Sequence, residues 1–329
     1  MFVIREGHMA KWCLALAAIL AAGLSSAQAQ ECGLRRFASL DLVQGQDSRP
    51  IVEAQLGGRT VHLLIDTGGV YSTIRKDFAD GLSLRAYDIS RGMAMYSSNG
   101  TRLKTYAEVP DFKLGGIVLD KYPMLLSPGI TGAGGIDGTL APDFLSKFEV
   151  DIDFAAHKLN LFAVDHCPGK VVYWSKSYVE IPFKFDGITH ISVPVSLDGR
   201  EIATALDTGS NRTFLYEDAA GSVFGLSTSS PGMERRPSAK PEDLIQYQYR
   251  FKAMSLQGIA VTNPLIEILP DAANRGLHRD FDSKMDSDAI YGVSLDSPQL
   301  IVGTNILSKL HLFISYKEKK LYLTAADAH

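Results

Sequence analysis

Cysteine is scarce, with 3 in 329 residues, too few for a disulfide scaffold or a cysteine-rich zinc site. The 8 histidines show no pairing at metal-ligand spacing, so no metal is expected. Positive charge has no excess either: 33 Lys and Arg are scattered among 37 Asp and Glu, for a formal net charge of −4. No basic stripe is available to neutralise a phosphate backbone, which excludes nucleic acid as an expected partner. A phosphate-cradling loop is also missing. The glycine-rich stretch 129–135 has no following Lys-Ser/Thr and opens no long helix, so no nucleotide or other cofactor is expected. Helical periodicity is sparse, confined to a turn or two near 75–80, 143–147, 216–221 and 305–309.

Long apolar runs are absent too. The longest, residues 12–24, is short against the roughly 20 residues needed to span a bilayer. Arg5 and Lys11 precede it and Ala27-Gln28-Ala29 follows, which reads as a secretory signal peptide over residues 1–29 with cleavage after Ala29. The mature chain is then expected to be periplasmic or secreted, without stable membrane association. It keeps two cysteines, Cys32 and Cys167, which can pair in an oxidising compartment. Two free thiols are the alternative, since sequence sets no distance between them.

What the sequence does contain is a large internal repeat. Residues 37–74 align with 178–215 without a gap at an offset of 141, so that Val52, Leu56, Gly58, Arg59, Asp66, Thr67 and Gly68 meet Val193, Leu197, Gly199, Arg200, Asp207, Thr208 and Gly209. Each copy reads as strand, tight turn and strand, with Gly57-Gly58 or Asp198-Gly199 at the turn. A second block repeats at an offset of 162: residues 140–147 face 302–309, and each runs into a pair of alternating strands. The extra residues of the second copy fall in the polar stretches 227–246 and 270–299, which read as surface loops. The chain is therefore expected to be mainly β, one domain plan used twice. The two copies meet near Pro168-Gly169, giving an N-terminal half over 30–170 and a C-terminal half over 171–329.

The most strictly shared residues are Leu64-Ile65-Asp66-Thr67-Gly68 and Ala205-Leu206-Asp207-Thr208-Gly209. Each is an acidic residue at the end of an apolar strand, followed by a turn. One such triplet is ordinary turn chemistry. Two at equivalent positions of a duplicated domain are different, because a pseudo-two-fold axis can bring both carboxylates to one point. Two carboxylates within about 3 Å hold a single proton between them and so offer an acid and a base in one site. An ionised carboxylate can take a proton from water while its protonated neighbour hydrogen-bonds a carbonyl, which is what amide hydrolysis needs without metal or covalent nucleophile.

On these residues the chain resembles the aspartic protease family, and in particular bacterial retropepsin-like proteins with both lobes in one chain, as in pepsin. The later apolar-apolar-Gly element of the family is also clear in the second lobe, at Ile301-Val302-Gly303. The resemblance implies a bilobal acid-protease fold, two related closed β-barrel-like lobes with a cleft between them, acting on a polypeptide substrate. Asp66 and Asp207 would be the catalytic pair, with Thr67 and Thr208 joining the two loops by reciprocal hydrogen bonds and Gly68 and Gly209 allowing a close turn. A monomer suffices for such a site. A non-catalytic peptide-binding protein that retains the cleft is the alternative. The chain departs from the pattern at Gly69, where the second copy has Ser210, and at Ala141, where glycine is usual. Ser210 can offer Asp207 a hydroxyl that Gly69 cannot offer Asp66, so Asp207 is expected to be the more readily ionised member.

The family closes its cleft with a hairpin flap. The candidate here is 93–109, with Asn99-Gly100 at the tip and Tyr96 and Tyr106 beside it as substrate-facing aromatics or as plain sheet packing. The corresponding stretch near 232–252 carries Pro237 and Pro241 and no glycine tip. Asp151-Ile152-Asp153 reads as the solvent face of a half-buried strand.

Overall fold

Period-two alternation dominates the sequence, and strands dominate the computed structural model. It describes residues 33–326 apart from 44–46, 91–94, 98–100, 129–134, 187–189, 237–245 and 271–297. The segment read as a signal peptide, Cys32 and the flap tip Asn99-Gly100 lie outside the described residues. Leu34–His329 cluster as one unit. Its first half carries β1 (Arg36–Asp41), β2 (Ile51–Leu56), β3 (Arg59–Ile65), β4 (Thr73–Arg75), β5 (Ala86–Asp88), β6 (Met95–Tyr96), β7 (Arg102–Leu103), β8 (Thr105–Leu114), β9 (Ile117–Ser127), β10 (Gly138–Leu140), β11 (Glu149–Asp153) and β12 (Lys158–Phe162). The second half carries β13 (Val179–Pro182), β14 (Lys184–Asp186), β15 (His190–Leu197), β16 (Arg200–Leu206), β17 (Phe214–Tyr216), β18 (Met233–Arg235), β19 (Tyr247–Arg250), β20 (Ala253–Leu256), β21 (Ile259–Thr262), β22 (Leu265–Leu269), β23 (Leu300–Val302), β24 (Leu310–Ser315) and β25 (Lys320–Ala325). Short helices follow β4, β10, β17 and β23, near the four places where the sequence shows helical turns.

The repeat is visible in the pairing. In the first half the strand order is β2-β3-β10-β4-β9-β8, and β8 returns to β2 at Gln55 and Lys113, closing a barrel. The second half runs β15-β16-β23-β17-β22-β19, the same order. Here the long β8 has as its counterpart two pieces, β19 and β20, and β20 makes the return to β15 at Ser196 and Ser255. The partner strand is likewise divided into β21 and β22. The division falls at Asn263, whose φ is +50°, and Pro264, which has no N–H to give a ladder.

Both barrels begin on a tight hairpin. Gly57 and Gly58 have φ of +55° and +74°, and Asp198 and Gly199 have +46° and +79°. Two successive positive φ values match the right-handed twist of the flanking strands, and Gly and Asp tolerate them. Before the turn, β2 alternates from Val52 onward, burying Val52, Ala54 and Leu56 while exposing Glu53 and Gln55.

A third sheet, β1-β12-β11-β24-β25-β13, draws on both halves, with β11 and β24 antiparallel at its centre. All six residues of β24 are buried. The outer face is covered because the connection between the halves folds back over it: Trp174 stacks on His311 with ring centroids 4.0 Å apart. Asp151, expected on a solvent face, is instead fully buried. It accepts hydrogen bonds from the Tyr173 hydroxyl at 2.6 Å and Asn160 Nδ2 at 2.8 Å, and lies 2.6 Å from His311 Nε2. Burial of a carboxylate is tolerated where it is so completely partnered. Nearby, His166 Nε2 lies 2.9 Å from buried Glu149. Cys167 is disulfide-bonded.

Candidate active site

Asp66 and Asp207 each stand one residue beyond an apolar strand, β3 or β16. Both are pinned there by a parallel neighbour: the Asp66 N–H donates to the Leu140 carbonyl at 2.9 Å, and that of Asp207 to the Val302 carbonyl at 3.0 Å. That neighbour is the later repeated element, and this is why both repeats travel together.

The two loops are locked by their threonines. Thr67 Oγ1 donates to the Leu206 carbonyl at 3.0 Å and accepts from the Thr208 N–H at 3.1 Å. Thr208 Oγ1 donates to the Ile65 carbonyl at 2.6 Å and accepts from the Thr67 N–H at 3.1 Å. Both side chains are fully buried. Each member of this network is hydrogen-bonded within it. Thr208→Val keeps the shape but leaves the Ile65 carbonyl and the Thr67 N–H buried without partners, at about 1–3 kcal/mol each. Urea denaturation is expected to show a loss of about 3 kcal/mol, and a variant as stable as the parent would contradict this bonding.

The locked loops bring the carboxyl groups into hydrogen-bond contact with each other. Gly68 and Gly209 make that approach possible, since each stands against the opposite carboxylate. A Cβ at Gly68 would lie 2.5 and 2.7 Å from the two carboxylate oxygens of Asp207, and one at Gly209 would lie 2.5 Å from Asp66 Oδ1. Each inner oxygen is also held by two backbone N–H groups. Gly68 and Gly69 donate to Asp66 Oδ1 at 3.0 and 2.9 Å. Gly209 and Ser210 donate to Asp207 Oδ1 at 2.8 and 3.2 Å.

Burial, and then the charge of Asp207, push the Asp66 carboxyl up to about 8. Burial also raises Asp207, but the N–H groups of Gly209 and Ser210, its hydrogen bond with Asp66 and the charge of His190 hold it back. Both carboxyls are thus raised by their burial, and the touching pair holds one proton between them. The sequence expected the Ser210 hydroxyl to reach Asp207, and the structure corrects this: Ser210 Oγ donates to the Arg212 carbonyl at 2.8 Å instead. A hydroxyl bonding its own backbone two residues on closes a local turn that a contact to Asp207 would break. What supports Asp207 is the Ser210 N–H, matching that of Gly69.

The other departure has a steric account. A Cβ at Gly69 would stand 3.2 Å from the Ala141 Cβ, so the methyl at 141 sits where its neighbour has no side chain. In the second half Gly303 lies against the Arg212 and Ser210 carbonyls and has no room for a methyl. Below each loop a hydroxyl continues the pattern: Ser72 Oγ donates to Asp143 at 2.7 Å and Thr213 Oγ1 to Asn305 at 2.7 Å. They accept from the Ala141 and Gly303 N–H groups, each at 3.1 Å.

Of the flap candidates, Tyr96 lies on β6, which pairs with β7, and the Ser97 N–H donates to the Thr101 carbonyl at 2.9 Å. Tyr106 stacks on Tyr87 with centroids 5.4 Å apart, which is sheet packing. The second half has its own hairpin base where β18 pairs with β19. One feature of the site was not found from sequence. Arg49 is closed onto Asp47 at 2.9 Å, and Asp47 accepts from Asn211 Nδ2 of the opposite loop at 3.1 Å. The signal available was the repeat offset itself, which places Arg49 where the second copy has His190.

Among the described residues no group of three or more His, Cys, Asp or Glu is arranged to hold a metal ion. No curated protein matches the chain. Residues 52–144, the first barrel with Asp66, Thr67 and Gly68 inside it, match the family model described as aspartyl protease, and the aspartyl protease family is what this match supports.

Proposed function

We propose that the chain is an exported aspartic endopeptidase in which Asp66 and Asp207 activate a water molecule against a peptide bond. The observation that carries this reading is the contact of two carboxyl groups from equivalent strand ends, both raised by burial, so that together they can hold one proton. Asp207 takes a proton from water as the water oxygen attacks the carbonyl carbon, and the Asp66 proton passes to the carbonyl oxygen. Protonation of the amide nitrogen by the proton gained at Asp207 then breaks the C–N bond, and the hydroxyl proton returns to Asp66 as the new carboxylic acid forms. The peptide lies extended in the cleft between the two lobes, paired in strand fashion with the flap around Tyr96, Asn99 and Gly100.

Residues 1–29 act as the export signal, cleaved after Ala29, and Cys167 bonds to Cys32, tying the mature N-terminus to the connection between lobes. N-terminal sequencing of the exported product, with a thiol count under denaturing, non-reducing conditions, tests both points. A product beginning elsewhere, or one bearing free thiols, would contradict them.

The pH dependence follows from the pair. The working form carries one proton, and that proton leaves as pH rises through the raised value of Asp66, about 8. Plotted against pH, kcat/KM is therefore expected to hold through neutrality and to fall about tenfold per unit above 8. A profile already lost at pH 6 would sink the assignment of the proton to so raised a pair.

A further inference from the structure

The site is symmetric at the carboxylates and asymmetric just beyond them. Five residues after Asp207 the second loop carries Arg212, where the repeat places Tyr71 in the first. Beside it, Phe214 of β17 is in register with Glu267 of β22, where Thr73 of β4 is in register with Leu125 of β9. Tyr71 and Leu125 beside one carboxylate thus correspond to Arg212 and Glu267 beside the other.

The charged flank is unbalanced. Glu267 is mostly buried and is shared by two guanidinium groups: Oε1 meets Arg236, from the end of β18, and Oε2 meets Arg212 at 3.4 Å. One carboxylate cannot neutralise both. Arg236 has the close contact and is largely covered, whereas the Arg212 side chain is 48% exposed and loosely held. Among the described residues, the repeat places Tyr71 where the second half has Arg212, and the arginine of the first half tied to the opposite loop is Arg49. Arg49 is only 11% exposed and spends its charge on Asp47 through both Nε and Nη2. Within the group of Arg212, Glu267 and Arg236 the surplus positive charge is carried by Arg212, the more exposed and less tightly paired of the two arginines.

We infer that Arg212 receives an acidic side chain of the bound peptide, on the side of the cleft built by the second half. This rests on the reading of the cleft as a peptide site. A guanidinium fork is well matched to a carboxylate, and a contact sheltered between two chains is worth more than one in open water. Glu267 then acts as an internal competitor, a stand-in for the substrate carboxylate that keeps Arg212 oriented at rest.

The test uses mature chain carrying Asp66→Asn, so that peptides bind without being cut, and fluorescence anisotropy with labelled decapeptide pairs. The pairs differ only by Glu or Gln at one position, scanned along the peptide. At one position Glu is expected to bind about tenfold more tightly than Gln. Arg212→Gln collapses that ratio to about one, and Glu267→Gln, which removes the competitor, raises it. A merely structural ion cluster predicts the opposite pattern, with both substitutions weakening the Glu and Gln peptides alike. That pattern, equal binding of Glu and Gln at every position, or no peptide binding at all, overturns the inference. Should Glu267→Gln fail to fold, the ratio in Arg212→Gln decides alone. Cleavage by the wild-type chain is measured separately: cleavage without a Glu preference defeats this inference and leaves the protease reading intact, while a preference without cleavage does the reverse.

Discussion

Asp66→Asn and Asp207→Asn are each expected to abolish peptide cleavage, lowering kcat/KM by at least about 10³-fold, because on the proposed mechanism each removes either the acid or the base of a single step. The double variant is expected to be little worse than either single one, since the two groups work as a unit. The fold should not suffer. Asp66 has a folded value raised well above that of a free carboxyl, so its contribution to stability is present in acid and is lost as pH rises through about 8. Above that pH two neighbouring carboxylates are forced to ionise together in a partly buried site. Asp66→Asn removes the conflict, and at pH 9 the variant is expected to melt about 5 °C above the wild type, with little difference at pH 5. Circular dichroism melts at the two pH values check this. A variant that lost activity and melted lower at both would point to a structural aspartate instead.

Gly68→Ala and Gly209→Ala are expected to cost about 10²–10³-fold in kcat/KM. A methyl group at either position enters the space of the opposite carboxylate, and a displacement of about 1 Å at reacting groups is enough for an effect of that size. The loss of stability should be smaller, about 1–3 kcal/mol, as for an overpacked site that can partly relax. The contrast with Thr208→Val is informative. That change strikes the buried bonds joining the loops and shows mainly in unfolding, whereas the alanines strike the approach of the carboxylates and show mainly in turnover. Urea denaturation alongside kinetics separates the two, and an alanine variant with full activity would contradict the close approach.

How much of this was legible in the sequence depends on the range of the interaction. The strand ends bearing Asp66 and Asp207 and the hairpins at Gly57-Gly58 and Asp198-Gly199 follow from one offset, because a duplicated plan fixes equivalent positions in space, whereas the reciprocal roles of Thr67 and Thr208 came from the family resemblance. Ser210 was misread because its strongest option was local: the carbonyl two residues on competes better than a carboxylate across a turn. Asp151 was misread for the opposite reason. Strand alternation says which residues share a face but not what covers it, and the cover comes from Tyr173 and Trp174 far along the chain. The group of Arg212, Glu267 and Arg236 was equally hidden. Its members are separated by 24 and 31 residues and meet only because β17 lies beside β22. The closing of the second barrel through two broken strands could be anticipated at Pro264 alone.

The central claim is that this paired site cuts peptide bonds, and the most direct measurement is mass spectrometry of a peptide library incubated with mature chain from pH 3 to 8, with and without pepstatin. The expected result is internal cleavage that persists at pH 7, is blocked by pepstatin and is absent from both Asn variants. Binding without cleavage at any pH, or cleavage that survives in both Asn variants, would contradict it.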